Sequence, residues 1–253
     1  MIEYPPSLVV EARKEKEAEL YESARKWIAG GERAEGIHAS DLLMPRKGYW
    51  RHKDPQPLAE REIGLFLVGR VLHSFVLHER GETQPDLNST DEGSCYDEEL
   101  RLWYSPDKER DGKIIEVKTT RSMYEARSLD DLDTYIPQVL IYLACKKLTE
   151  GEIWVLYINA RDTEGRTAPV FRVFSVSIDP VHLRGLRNRV GAAVKSLELA
   201  ISTVEISGEE GPWKVLPLCP EWACRPAYCA WWNKCKPEGR FDNPDYLKPK
   251  KKK

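Results

Sequence analysis

The stretch WYSPDKERDGKIIEVKTT, residues 103–120, decides how this chain is read. Lys113–Thr120 alternates in the manner of a β-strand, and Asp111-Gly112 just before it is a hairpin-turn signal. Residues two apart on a strand point the same way, so Glu116 and Lys118 share one face while Ile115 and Val117 share the other. Taken alone, such alternation describes a sheet with one face in water. A second reading is open, in which the charged face performs chemistry.

The second reading needs a third group, and Asp107 supplies it before the turn. Two carboxylates converging across a hairpin hold a hard divalent cation through oxygen ligands, and the backbone carbonyl of Val117 is a further donor. A Mg²⁺ or Mn²⁺ ion held there neutralises phosphate charge and lowers the pKa of a bound water. Lys118 on the same face orients that water or meets the developing negative charge. These are the parts that a phosphodiester hydrolase requires.

The rest of the chain sets the frame. Its composition, 41% hydrophobic and 32% charged, is that of an ordinary globular protein. No apolar run approaches the roughly 20 residues of a membrane span, and the charged N-terminus lacks a signal-peptide core. The expectation is an intracellular protein with no membrane partner. A net charge of −2 does not advertise nucleic-acid binding, so a local basic path would have to supply it.

Around the hairpin the pattern reads helix, strand, strand, helix, strand, strand, helix. Residues 7–29 form a Glu/Lys-rich helix ending at Gly30-Gly31. A short helix capped by Ser40 stops at Pro45, and Arg46, Lys47, Arg51, His52 and Lys53 then lie close to Tyr49 and Trp50. Residues 58–79 form a helix with Ile63, Phe66, Val68, Leu72, Phe75 and Val76 on a broad buried stripe. The segments ELRLWY and KIIEVKTT are strands, and a helix follows over about 131–148. EIWVLYIN and VFRVFSVSI are strands, and Asp179-Pro180 opens a long last helix. This order gives a small mixed β-sheet flanked by helices, an α/β fold.

Four of the six cysteines, Cys219, Cys224, Cys229 and Cys235, fall within seventeen residues. Their spacings of four, four and five residues suit one soft metal site, either Cys₄ zinc or a cubane cluster. The absence of a close CxxC knuckle favours the cluster over Zn²⁺. Trp213, Trp222, Tyr228, Trp231 and Trp232 give the thiols an apolar shell. Cys95 and Cys145 stand apart and read as small buried hydrophobes. Arg225, Lys234, Lys236 and the basic residues at 46–53 are candidates for a phosphate-backbone groove.

Several of these motifs coincide with a known pattern. SPD, eight residues and then EVK resembles the PD-(D/E)xK nuclease signature. GRVLH (69–73) before the hairpin, QVLIY (138–142) after it and the terminal cysteines resemble the RecB-like exonuclease branch that carries an iron–sulfur cluster, of CRISPR-associated and AddB type. The resemblance runs over roughly residues 38–236 and rests on about a dozen positions. It implies a restriction-endonuclease-like core with a C-terminal cysteine-rich metal module. It makes His73 an additional ligand to the Mg²⁺ or Mn²⁺ of Asp107, Glu116 and Val117. It places Gln138 and Tyr142 beside the active site, guiding the nucleic-acid strand or orienting Lys118, and it gives the four cysteines a [4Fe-4S] cluster.

Two departures accompany it. The position where the family usually carries an N-terminal cysteine ligand is occupied by Met44, so Cys219 would stand in and the cluster would no longer clamp the two chain ends. Tyr104 stands where a glycine of the family's G-x-x-D motif is common.

The expected units are an N-terminal segment, 1–57, a nuclease core, 58–205, a cysteine module, 206–240, and a basic tail, 241–253. The expected activity is metal-dependent hydrolysis of DNA, by resemblance at single-stranded ends. No nucleotide-binding P-loop is present, so unwinding would fall to a helicase or to a recombination or adaptation partner. Replication, recombination, phage metabolism and CRISPR adaptation are all compatible. A non-catalytic, metal-stabilised nucleic-acid-binding protein and a site-specific endonuclease on the same fold remain alternatives.

Overall fold

The computed structural model describes residues 34–57, 94–122, 135–161, 164–203, 211–219 and 229–235, with shorter stretches at 19, 22–24, 62–64, 66–69, 71, 132 and 223–224. Within them Asp111 and Gly112 both take positive φ, +50° and +75°. That is the conformation of a two-residue hairpin turn, and only a glycine adopts it without strain. The turn joins β4 (Lys108–Arg110) to β5 (Lys113–Thr120), with Arg110 opposite Lys113.

ELRLWY and KIIEVKTT, the two strands read on either side of the Asp111-Gly112 turn, are not hairpin partners. Leu102–Tyr104 (β3) belongs to a separate three-stranded sheet, parallel to β1 (Ile37–His38) and antiparallel to β2 (Cys95–Asp97). A two-residue turn fixes the partner as the residues immediately before it, and Pro106, which has no N–H to give, separates β3 from β4.

From β5 the chain crosses through α3 (Ile136–Lys146) to β6 (Glu150–Arg161), which lies parallel to β5. An antiparallel return, β7 (Thr167–Ser177), completes the four-stranded sheet β4-β5-β6-β7. The last long helix, α4 (Pro180–Ser202), starts where Asp179 accepts the Val181 N–H at 2.7 Å. Leu186, Val190, Val194 and Leu197 bury one stripe of it. The architecture is mixed α/β, two small mixed sheets flanked by helices, as the sequence pattern indicates.

Both faces of the four-stranded sheet are covered at its centre. Ile114, Ile153, Val155 and Tyr157 join the main core with Val139 and Leu143 of α3, while Ile115, Val117 and Leu156 are buried on the other face. Helix α3 approaches so closely that a Cβ on Gly151 would stand 2.9 Å from Val139 Cγ1. This close seat places α3 beside the face that carries Glu116 and Lys118.

Two helical expectations change near the N-terminus. The short helix α1 (Ala39–Leu43) is capped by His38 rather than Ser40, and Asp41 accepts the His38 N–H at 3.0 Å. Pro45 both ends α1 and opens α2 (Pro45–Lys53), because a missing N–H costs nothing in a first turn. The basic and aromatic residues at 46–53 are thus helical, with Tyr49 and Trp50 in the core. Among the described helical residues 62–64, 66–69 and 71, Ile63 is buried, but Phe66 is 53% exposed and Val68 47%. Val68 lies about 140° round the helix from Ile63, off any single buried stripe. Leu72, Phe75 and Val76 fall outside the described residues, as does most of the 7–29 helix.

Candidate active site and thiol pocket

The charged face of β5 does not look into water. Glu116 is only 2% exposed, and Lys118 forms an ion pair with its Oε1. A half-solvated strand would have put both in solvent, so the bland reading of the alternation fails at this point. The second carboxylate arrives from the hairpin. Asp107, just before β4, accepts the Val117 N–H at 2.5 Å, between Glu116 and Lys118. Three of the residues singled out from the sequence therefore converge on one stretch of one strand.

Their electrostatics follow from that placement. Burial is the largest single influence on Lys118 and drives its ammonium toward neutrality. The carboxylates of Glu116 and Asp107 together outweigh it, and the net shift is upward. Lys118 stays charged, yet two carboxylates against one ammonium leave a negative charge in excess. A buried surplus of this kind suits a hard cation with oxygen ligands.

Helix α3 supplies the flanking residues. Gln138 Nε2 donates to Tyr142 Oη at 2.7 Å, so the two act as one unit across a helical turn. Tyr142 is buried, and its ring lies 6.2 Å from that of Tyr104. Tyr104 thus fills, with packing, the position where the resemblance has glycine. His73 lies outside the described residues. Tyr135, immediately before α3, packs half-buried against the core and lies on the same helical stripe as Gln138 and Tyr142.

The other candidate centre is a pocket at the C-terminal segment. Cys219, Cys224, Cys229 and Cys235 all line it, with Ala223 and Trp232. Arg46, Lys47 and Trp50 of α2 complete its wall. Burial pushes the thiols of Cys219 and Cys229 up, while the charge of Lys47 pulls both back. Four soft donors around one small space match a Cys₄ site in kind. Among the described residues, however, no three His, Cys, Asp or Glu side chains stand close enough to hold a metal ion as placed. The thiols share a pocket without closing a ligand shell.

Met44 does not line the pocket; it caps α1 and accepts the Gly48 N–H through its carbonyl at 2.8 Å. Helix α2 with Asp54 is nonetheless joined to the C-terminal segment by other means. Arg46 donates to the carbonyls of Leu216 and Lys214 at 3.0 and 2.9 Å. Asp54 holds Lys234 at 2.7 Å, and its carbonyl accepts the Trp231 indole N–H, also at 2.7 Å. Arg51 pairs with the buried Asp41. Arg46, Arg51 and Lys234, candidates for a phosphate groove, are therefore engaged within the protein. Arg225, Lys236, Trp222 and Tyr228 lie outside the described residues, as does the side chain of Trp213. Cys145 is buried, and burial raises its thiol to about 12, in keeping with an inert core residue.

No family model matches this chain, and no curated protein matches its sequence. Among solved structures, that of SSO0001 superposes with a TM-score of 0.51 over 87% of this chain and 96% of its own, at 13% identity. The two chains share a fold. An alkaline exonuclease from Laribacter hongkongensis, LHK-Exo, aligns with a TM-score of 0.38 at 15% identity, over 72% of this chain and 94% of that one.

Proposed function

We propose that this protein is a metal-dependent deoxyribonuclease of PD-(D/E)xK type, RecB-like, acting on single-stranded DNA ends. One observation carries the reading. Asp107, Glu116 and Lys118 meet on β5, with Glu116 buried and Asp107 bonded to the intervening Val117 N–H. A solvated strand has no reason to bury Glu116 and draw Asp107 and Lys118 to it, and a phosphodiester hydrolase needs all three.

The residues divide the work as follows. Asp107, Glu116 and the Val117 carbonyl would hold Mg²⁺ or Mn²⁺, with His73 as a further ligand. The ion would supply charge neutralisation at the phosphate and a water of lowered pKa. Lys118 orients the attacking water and meets the negative charge that builds on the phosphate oxygens. Gln138 and Tyr142, bonded to each other on α3, guide the strand past these groups. The four thiols would hold a [4Fe-4S] cluster, with Zn²⁺ as the competing occupant, in a structural role. A helicase or recombination partner would deliver the single strand.

The test is digestion of end-labelled single-stranded DNA by anaerobically purified protein, with Mn²⁺, with EDTA, and with the Lys118→Ala variant. Cutting that needs Mn²⁺ and falls at least about a hundredfold in the variant is expected. Cutting unaffected by the substitution, or none from a folded sample, would overturn the reading and leave a binding protein. A closed circular substrate separates the two nuclease types, since only an endonuclease opens it.

A further inference from the structure

The outer face of the three-stranded sheet is aromatic. The register sets His38 of β1 opposite Trp103 of β3, and Tyr96 of β2 opposite the same Trp103 from the other side. Residues directly opposite on adjacent strands share a face, so the three rings form one row across the sheet. Ile37, Leu102 and Asp97 point the other way and are buried. Tyr96 is 43% exposed, and His38 and Trp103 are half-buried. The centre of the Trp103 ring lies 4.8 Å from that of Tyr96 and 6.2 Å from that of His38, with 22° between the planes of the latter pair.

The row is held in place along one border. Trp103 Nε1 donates to the Glu35 carbonyl at 2.8 Å, and His38 Nε2 to that of Ala34 at 2.9 Å. Gly36, at φ +116°, passes so close that a Cβ there would stand 3.4 Å from Trp103 Cδ1. Rings fixed in this way lose little freedom when a ligand settles on them.

The chain itself carries the row to the candidate active site. Asp107 follows Trp103 by four residues, a reach of at most about 14 Å. Ser105, between them, is bonded hydroxyl to hydroxyl with Ser94, just before β2, at 3.1 Å. Arg46, Arg51 and Lys234, expected to line a phosphate groove, are engaged within the protein. A strand at the site must then be held by something other than these charges. An aromatic surface serves, because unpaired bases of any sequence stack on it.

We propose that Tyr96, Trp103 and His38 form a platform on which the bases of a single nucleic-acid strand stack beside Asp107. The choice of occupant rests on the nuclease reading, while the platform is a binding surface separate from the metal site. It gives that nuclease a reason to prefer unpaired strands, since a duplex keeps its base faces stacked on one another.

Fluorescence anisotropy with the full chain in EDTA, where nothing is cut, compares labelled oligo(dT) with an abasic strand of the same length. The unmodified protein is expected to bind oligo(dT) about 5- to 100-fold more tightly, the range that one stacked base supplies. Tyr96→Leu keeps an apolar side chain in the row but removes the ring. It is expected to lose at least about 5-fold on oligo(dT) and nothing on the abasic strand. Its salt dependence is expected to stay that of the parent, because no phosphate contact is lost. Tyr96→Phe is expected to bind as the unmodified protein does. Equal binding, or none, to the two strands overturns the inference, as does a Tyr96→Leu variant that holds oligo(dT) unaltered; the row is then sheet packing or a face for a protein partner. Should Tyr96→Leu unfold at the assay temperature, His38→Leu at the other end of the row is read in its place. Base-dependent binding without any cutting once Mn²⁺ is added is a different result: it removes the proposed nuclease and keeps the platform.

Discussion

Glu116 and Lys118 form the kind of pair that a fold keeps for use rather than for stability. Burying two charges costs more than their attraction usually returns, and well-packed apolar replacements of such pairs are often neutral or stabilising by about 1–4 kcal/mol. The pair lies among Ile114, Ile153 and Val155, where methionines could fill the same space. The double variant Glu116→Met/Lys118→Met is therefore expected to melt at the same temperature or higher, while losing Mn²⁺-dependent cleavage. Thermal unfolding followed by circular dichroism checks the first half, and the labelled-strand assay the second. A double variant less stable than the parent would mark the pair as structural. The residues themselves were legible in the sequence through the strand's period of two. Their burial was not, because alternation looks the same whether the polar face meets water or α3.

At the scale of elements, α3 and α4 are tied to the three-stranded sheet by one guanidinium. Arg187 of α4 donates to both carboxylate oxygens of Asp97 at the end of β2, at 2.6 and 3.0 Å, and to the Ala144 carbonyl of α3 at 2.8 Å. Burial, the largest influence on Asp97, pushes its carboxyl up. Arg187 and the Leu100 N–H together overcome it and hold the carboxyl below its ordinary 3.8. A carboxyl depressed in the folded state stabilises the fold fully above its unfolded value, and the contribution fades as pH falls below that value. Asp97→Asn is thus expected to cost about 3 kcal/mol at neutral pH, the low end for breaking a buried pair because Glu99 also holds Arg187. Its stability is also expected to vary less than the parent's between pH 5 and 3, which urea titrations across that range would read. A parallel acid limb in the variant would place the pH dependence elsewhere. Nothing local announced this tie. Asp97 and Arg187 are 90 residues apart, and periodicity finds elements but not which charges meet when they pack. The same limit explains the misassigned hairpin partner: ELRLWY has strand composition, but the turn at Asp111-Gly112 chooses its neighbour by position alone.

Across the whole molecule, one core draws on Tyr49 and Trp50 near one end of the chain and on Trp231 and Cys235 near the other. The order of helices and strands was readable because each carries its own period, cap or turn residue. The docking of α2 on the cysteine segment was not, since Arg46 and Lys47 read as surface charge until the carbonyls of Leu216 and Lys214 appear opposite Arg46. This docking bears on Met44, the position where the resemblance would place an N-terminal cysteine. Where a thiolate from that end would bind the metal directly, α2 instead walls the thiol pocket and is held by hydrogen bonds. Metal in the pocket would therefore stabilise α2 without a ligand from it, because four thiolates drawn together keep the opposite wall in register. Stripping the proposed metal with a chelator is expected to speed amide exchange in Pro45–Lys53 as well as in the cysteine segment, followed by mass spectrometry. Arg46→Ala, which removes two charge-assisted hydrogen bonds and about 2 kcal/mol of docking, should produce the same pattern with metal still present, together with faster metal loss to the chelator. If exchange rises only around the cysteines in both experiments, the two ends fold independently and the Arg46 contacts are incidental.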